Sequence, residues 1–282
     1  MKKLKSTCFL LFAFSTFQSI AQQDPLFTQF WNVSTSYNPA NAGLHYKHQA
    51  GVNYRNDWGN TLMSSYNTKI EKYKSGIGFN YMYDAIGAFK QNKFDLNYSY
   101  QLDLGEEKKL SFGLSAGIVN LNFEPYWVAP DPNDPLLPKN GQGIGFSSNA
   151  GIAFKSKKLT LGLSSTHLNE ARIEEAYFKF TRNYYFSASY DFNLSDNFTL
   201  KPQLLFRTDG VFMSTDINLL AIFKKQYWLG ISARNRDSYS FMAGVDFKEK
   251  YRIGYSYDIT VSKLNNGVSN GSHEIVLGFL LK

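Results

Sequence analysis

The sequence predicts an all-β protein, a transmembrane antiparallel barrel of the outer-membrane kind with about 14 strands. Three observations carry this reading. The chain opens with an export signal, its segments alternate with a period of two over bilayer-crossing lengths, and its connections sort by parity into short and long. Composition agrees: aromatic residues make up 17% of the chain, yet mean hydropathy is negative. No stretch beyond the signal approaches the ~20 apolar residues of a helical span, whereas strands with one lipid face and one polar face meet both conditions.

Residues 1–21 read as a cleavable signal. Lys2, Lys3 and Lys5 form the charged start, Phe9 to Phe17 the apolar run, and Ser19-Ile20-Ala21 a small-x-small cleavage site before Gln22. The one cysteine, Cys8, lies inside this signal, so a mature chain has neither a disulfide framework nor a thiolate metal site. Three of the formal +7 charges also belong to the signal, and the remainder gives no argument for a nucleic-acid partner.

Residues 22–46 are different in kind. Phe27, Phe30, Trp31 and Tyr37 are spread over a stretch without strand alternation that closes on Asn38-Pro39-Ala40-Asn41-Ala42-Gly43. A loose tail would be polar, so this segment is expected to pack within the barrel as a plug, with Phe27, Phe30, Trp31, Tyr37, Asn38 and Pro39 as its contact residues. The alternative is a cover on the rim.

The barrel itself is assigned to residues 47–282. Successive strand residues point to opposite faces. Tyr251, Ile253, Tyr255, Tyr257 and Ile259 alternate with Arg252, Gly254, Ser256, Asp258 and Thr260, and Phe94 to Leu102 behaves alike. Such segments begin near residues 48, 63, 75, 90, 109, 144, 158, 182, 197, 213, 226, 238, 250 and 273. Most approach the ~9–11 residues that a tilted strand needs to cross a bilayer, longer than the ~5–6 of soluble strands. A secreted β-sandwich would also alternate, so strand length and the connections decide. Every second connection is short and often bears lysine, as at Glu71 to Lys74, Lys224-Lys225 and Lys248 to Lys250. The alternate set holds the long ones, 122–143, 169–180 and 262–272. Tight periplasmic turns and longer extracellular loops have this pattern.

Chemistry is sparse. His45, His48, His167 and His273 lack an H-E-x-x-H frame, and no G-x-S-x-G elbow is present. His167 with Ser164 or Ser165 is the one serine–histidine pair that proximity offers. Gly141, Gly143 and Gly145 lack a following helix and read as a hinge into the next strand, not a nucleotide loop. Asp84, Asp95, Asp103, Asp191, Asp246 and Asp258 fall on or beside lumen faces, with Arg207, Arg252 and Lys201 as partners. Catalytic, cofactor-binding and metal-binding residues are therefore assigned to none.

Several runs resemble one family. Gln23-Asp24-Pro25-Leu26-Phe27-Thr28-Gln29-Phe30, Asn38-Pro39-Ala40-Asn41-Ala42-Gly43, Arg55-Asn56-Asp57-Trp58, Arg252-Ile253-Gly254-Tyr255-Ser256-Tyr257-Asp258 and Gly271-Ser272-His273-Glu274-Ile275-Val276-Leu277-Gly278 stand in an order similar to that of the PorP/SprF family, membrane proteins of the type IX secretion system. The resemblance spans nearly the whole mature chain. It implies a non-enzymatic, multi-pass outer-membrane barrel that takes no cofactor and works beside other type IX secretion components. Its partner would be a large secreted, adhesin-like protein, bound through a C-terminal sorting domain for export or surface attachment, as in the export of gliding-motility adhesins. Tyr126 and Trp127 in the longest loop, and Arg172 in the next, are then contact candidates, because exposed aromatics and arginine favour interfaces. A loop folded over the mouth is the competing role for them. The rival function is a transporter or porin for small solutes, against which bulky side chains in 22–46 and few lumen charges argue. An outer-membrane lipid hydrolase working through His167 ranks below both.

Overall fold

The computed structural model describes residues 24–57, 59–125, 139–262 and 271–281. The signal therefore lies outside the described residues, as do Tyr126 and Trp127.

Fourteen strands cross in sequence order: β1 (His48–Asn56), β2 (Gly59–Ile70), β3 (Ser75–Ile86), β4 (Phe89–Asp103), β5 (Lys109–Phe123), β6 (Gly141–Lys155) and β7 (Leu159–Thr166) form one half. The other half is β8 (Asn183–Tyr190, continued by Phe192–Ser195), β9 (Phe198–Thr208), β10 (Met213–Phe223), β11 (Tyr227–Arg234), β12 (Ser238–Phe247), β13 (Tyr251–Thr260) and β14 (Ser272–Leu281). Each strand pairs antiparallel with its neighbours in sequence, and β14 returns to β1 with Leu277 opposite Val52, so the sheet closes. Closure removes the unpaired edge that a membrane would not tolerate.

The alternation read from the sequence divides the two faces. In β13, Gly254, Ser256 and Asp258 are buried while Tyr255 and Ile259 are exposed. In β5, Ser111 is fully buried next to Phe112 at 41% exposure, and on the same outer face Leu114 is 65% exposed. Leucines this open, backed by a buried row of serine and asparagine, mark a lipid-facing exterior around a polar interior. The expected starts of β1, β3, β5, β10 and β12 coincide with the observed ones. β2 begins at Gly59, four residues before its expected place, because Asn60 and Leu62 already pair with β1.

The connections 71–74, 104–108, 156–158, 196–197, 224–226 and 248–250 lie at one end, with both ends of the barrel chain. By the loop-length rule this is the periplasmic end. β5, β7 and β13 end, and β6, β8 and β14 begin, at the opposite, extracellular end, where residues 167–182 join β7 to β8. This connection folds back on itself, Arg172–Ile173 pairing with Phe178–Lys179, and buries Ile173, Ala176 and Phe180 against Val119, Leu121 and Phe123 of β5. Gly141, Gly143 and Gly145 make room for it, which corrects their reading as a hinge: all three lie within β6. A first side-chain carbon at Gly143 would stand 2.4 Å from Ile173 Cγ2, and at Gly141 it would overlap the Glu175 carbonyl. Close approach, not a left-handed φ, is what selects glycine here.

Candidate functional site in the barrel lumen

Residues 24–44 run through the lumen from its extracellular half to the periplasmic mouth, and the strands present polar side chains to backbone groups along its whole length, from the Asp24 carbonyl to the Leu44 carbonyl. Such a segment has no ladder of its own, so its N–H and C=O groups must be satisfied by the wall.

At the extracellular end, Asp24 meets His167 Nε2 at 3.0 Å, and Arg207 donates to the Asp24 carbonyl. Glu274 of β14 accepts the backbone N–H of Thr28 at 2.7 Å and of Gln29 at 2.9 Å. The Thr28 hydroxyl donates to Asp258 at 2.9 Å, and Arg55 of β1 closes the cluster, 2.5 Å from Asp258 and 3.9 Å from Glu274. Arg55, Asp258 and Glu274 are all buried, so one guanidinium holds two carboxylates that would otherwise repel.

Midway, Phe30 to Ser36 forms a short 3-10 stretch kinked at Val33. Asn32 Nδ2 donates to Asn53 Oδ1 at 2.9 Å, while Thr35 and Asn80 exchange two bonds, of 2.7 and 3.0 Å. The aromatic residues supply the apolar contacts. Phe27 packs with Met63 and Met82, and Phe30 with Tyr185 and Leu205. Trp31 stands edge-on to Trp228 at 5.9 Å, and Tyr37 lies against Tyr185 at 5.9 Å.

Nearer the periplasm, Asn38 caps the single turn Pro39–Asn41 by accepting from Ala40 N at 3.0 Å, and its amide donates to the Ile152 carbonyl. Ser111 and Ser99 each donate at 2.7 Å, to the carbonyls of Ala40 and Ala42. Gly113 of β5 lets the chain pass, since a side chain there would put a carbon 2.1 Å from Ala40 N. Lys155 Nζ closes the path at the Leu44 carbonyl, 3.2 Å away. Beside it, burial, followed by Lys155 and Lys201, pushes the His45 imidazole down to about 3.

Among the described residues the open space of the lumen is divided. A cavity of about 160 Å³ at the periplasmic mouth is lined by Trp31, Tyr37, Lys201, Trp228 and Arg252. A pocket of about 40 Å³ adjoins Phe27, Phe30 and Tyr185. Another of about 160 Å³ in the extracellular half is lined by Asp24, Asp84, His167 and Phe180.

Several residues stand elsewhere than expected. Ser164 does not bond His167: its hydroxyl donates to the Tyr37 carbonyl at 2.6 Å, while His167 is held by Asp24. Arg252 and Lys201 do pair as expected, with Asp246 and Asp191. Asp258 instead pairs with Arg55, Asp95 with Lys93 at 3.5 Å, and Arg207 serves the Asp24 carbonyl. The lumen thus holds more charge than the sequence reading allowed; Arg234 and Asp216, 2.6 Å apart, add another buried pair. Arg172 is exposed on the folded extracellular loop, where the hydrogen bond from Lys179, with Arg182 and Arg172 nearby, holds the Glu170 carboxyl below its usual range. Glu274, Thr28 and Asn32 were missed; the one sequence signal was Glu274, a lone carboxylate on the small, polar face of the final strand.

Residues 19–279 match the family described as type IX secretion system membrane protein PorP/SprF. No curated protein sequence matches the chain significantly. Among solved structures, the fold is similar to the Ralstonia pickettii toluene transporter TbuX (8% identity, 89% of this chain and 93% of that one, TM-score 0.56). It is also similar to the P. putida toluene transporter TodX (8%, 86% and 92%, TM-score 0.53) and to the Acinetobacter baumannii outer membrane protein Omp33 (8%, 85% and 100%, TM-score 0.50). At such identities the likeness concerns the barrel alone.

Proposed function

The chain belongs to the PorP/SprF family of type IX secretion system membrane proteins, and from that premise we propose that it is an accessory barrel that binds a cognate secreted protein, through that protein's C-terminal sorting domain, for export or surface attachment. Membership together with the barrel fold places it in the outer membrane. The observation that carries the docking reading is the filled lumen. A wall that spends Glu274, Asn53, Asn80, Ser99 and Ser111 on residues 28–42 is built to retain that segment as a plug. The barrel then works through its outer surfaces and not as a conduit. Family and fold together favour a non-enzymatic role.

The extracellular loops are the working face in this reading. Arg172 stands exposed on the folded loop and offers a bidentate donor to a partner carboxylate. Tyr126 and Trp127, in the neighbouring long connection, are the proposed aromatic anchors.

The experiment is an affinity pull-down of the tagged barrel from detergent-solubilised outer membranes, with mass-spectrometric identification of its companions. A large secreted protein with a sorting domain should be recovered, and should be lost when the connection 124–140, between β5 and β6, is replaced by a short turn. Recovery of lipid and bulk porins alone would sink this reading. The second reading is small-solute transport, favoured by the fold shared with toluene transporters and by cavities of about 160 Å³ in both halves of the lumen. It requires the plug to move.

A further inference from the structure

The cavity of about 160 Å³ in the extracellular half of the lumen contains a carboxylate that no cation answers. Asp84 follows Asn80 and Met82 on the lumen face of β3 and is half-buried. The Thr61 hydroxyl donates to its Oδ1 at 2.6 Å, and no described residue forms an ion pair with it. The basic side chains of this region pair elsewhere: His167 with Asp24, Lys93 with Asp95, and Arg55 with Asp57 and Asp258. The charged groups that bear on Asp84 are two further acids, Asp57 and Asp24.

The rest of the wall also leaves hydrogen-bonding groups open. Asn183, the first residue of β8, is 2% exposed, and its Oδ1 has no hydrogen-bond partner among the described residues. Its Nδ2 is held by the Thr181 carbonyl, so the side chain is fixed while the oxygen stays unmatched. The Thr181 hydroxyl and the Nε2 of Gln91, which stands opposite Asp84 in the ladder of β3 with β4, are likewise buried and unpartnered. Buried polar atoms without partners carry a desolvation cost that bonds to a ligand would remove. Three rings complete the enclosure. Phe178 stands edge-on to Phe180 at 4.7 Å, and Phe89 lies 5.8 Å from Phe178. Such rings cover an alkyl chain and attract a cation to their faces.

We propose that this cavity binds an alkyl primary ammonium, either a lysine side chain or a small free amine. Asp84 is the counter-charge, Asn183 Oδ1 and Thr181 Oγ1 accept further N–H bonds, and the phenylalanine rings cover the stem. Gln91 presents an amide that offers either its oxygen or its N–H. Because Thr61 already engages Oδ1, the carboxylate has one oxygen free, which suits a compact ammonium better than the two-pronged fork of a guanidinium. Nor do the described residues include a group of three His, Cys, Asp or Glu side chains that could hold a metal ion. The cavity lies at the extracellular end, so the ligand arrives from outside the cell. The inference requires no movement of residues 24–44 and is independent of the docking reading.

The test is calorimetric titration of the purified barrel, in a neutral maltoside detergent, with n-butylammonium chloride and with n-butanol as its uncharged counterpart. The expected result is saturable binding of the ammonium and none of the alcohol. Asp84→Asn, which keeps shape and removes charge, should weaken binding at least about tenfold. Phe178→Leu, which removes one ring from the wall, should weaken it less. Heat-modifiable mobility on gels reports whether each variant is folded, and the comparison of ammonium with alcohol on the wild-type protein stands without either variant. Nα-acetyl-lysine amide separates the two sources. Its competition with n-butylammonium assigns the site to a protein lysine, and its exclusion assigns the site to free amines. No saturable heat with n-butylammonium, equal binding of n-butanol, or an affinity unchanged in folded Asp84→Asn would each overturn the proposal.

Discussion

The carboxylate of Glu274 accepts the backbone N–H of Thr28 at 2.7 Å, joining the last strand to the start of the internal segment across 246 residues of sequence. The same carboxylate takes the N–H of Gln29, so two donors without a ladder depend on one side chain. Glu274→Ala should cost about 1–3 kcal/mol for each orphaned N–H, and Glu274→Gln less, because an amide oxygen still accepts. Urea midpoints from heat-modifiable gel mobility measure the loss, and proteolysis within 24–44 should rise in step.

Arg55 carries a heavier load. Asp258 and Glu274 are buried and share its guanidinium, so Arg55→Met leaves two carboxylates facing each other without their ion-pair partner, and Arg234, which pairs with Asp216, is the remaining nearby cation. The expected cost is about 3–5 kcal/mol. Adding Asp258→Asn should recover part of it, because one of the repelling charges is gone. Equal stability of the single and double variants would show that the cluster is not coupled.

A pair of glycines separates space from backbone strain. Gly113 has negative φ and no room: any side chain meets Ala40 N at 2.1 Å and displaces the segment. Gly87 has φ +56° and nothing within 4 Å. Gly113→Val should free residues 38–42 to protease while leaving the barrel folded, whereas Gly87→Ala should cost only about 1 kcal/mol and leave the segment protected.

His45 gives a pH dependence whose sign follows from its depressed pKa of about 3, set by burial and then by Lys155 and Lys201. The unfolded chain takes up a proton near the ordinary histidine value while the folded chain does not, so stability is complete above pH ~6.5 and declines as pH falls from there toward 3. His45→Asn should flatten that part of the curve. A variant curve parallel to wild type would assign the acid sensitivity to other groups.

The barrel was legible in the sequence because period-two alternation reports which face a residue takes, and turn-loop parity reports which end. Strand starts at 48, 75, 109, 213 and 238 followed from that alone. The aromatic character of Phe27, Phe30, Trp31 and Tyr37 marked residues 22–46 as buried, but nothing local specified their partners. Asp24 finds His167, and Thr28 finds Asp258, across more than a hundred residues each. Such pairings depend on which strands face one another through the lumen, which is a property of the closed sheet. The glycines of β6 illustrate the same point, since their role is fixed by a loop that arrives only after β7.

The central claim is that this barrel docks a partner and is not a conduit, because its own N-terminal segment occupies the lumen. Conductance of the purified protein in planar bilayers tests it most directly, compared with a variant in which Glu274→Ala and Gly113→Val release that segment. The account predicts an electrically quiet wild-type protein and channel activity in the variant. Steady conductance through the wild-type barrel, with residues 24–44 still protected from protease, would contradict it and bring small-solute transport to the front.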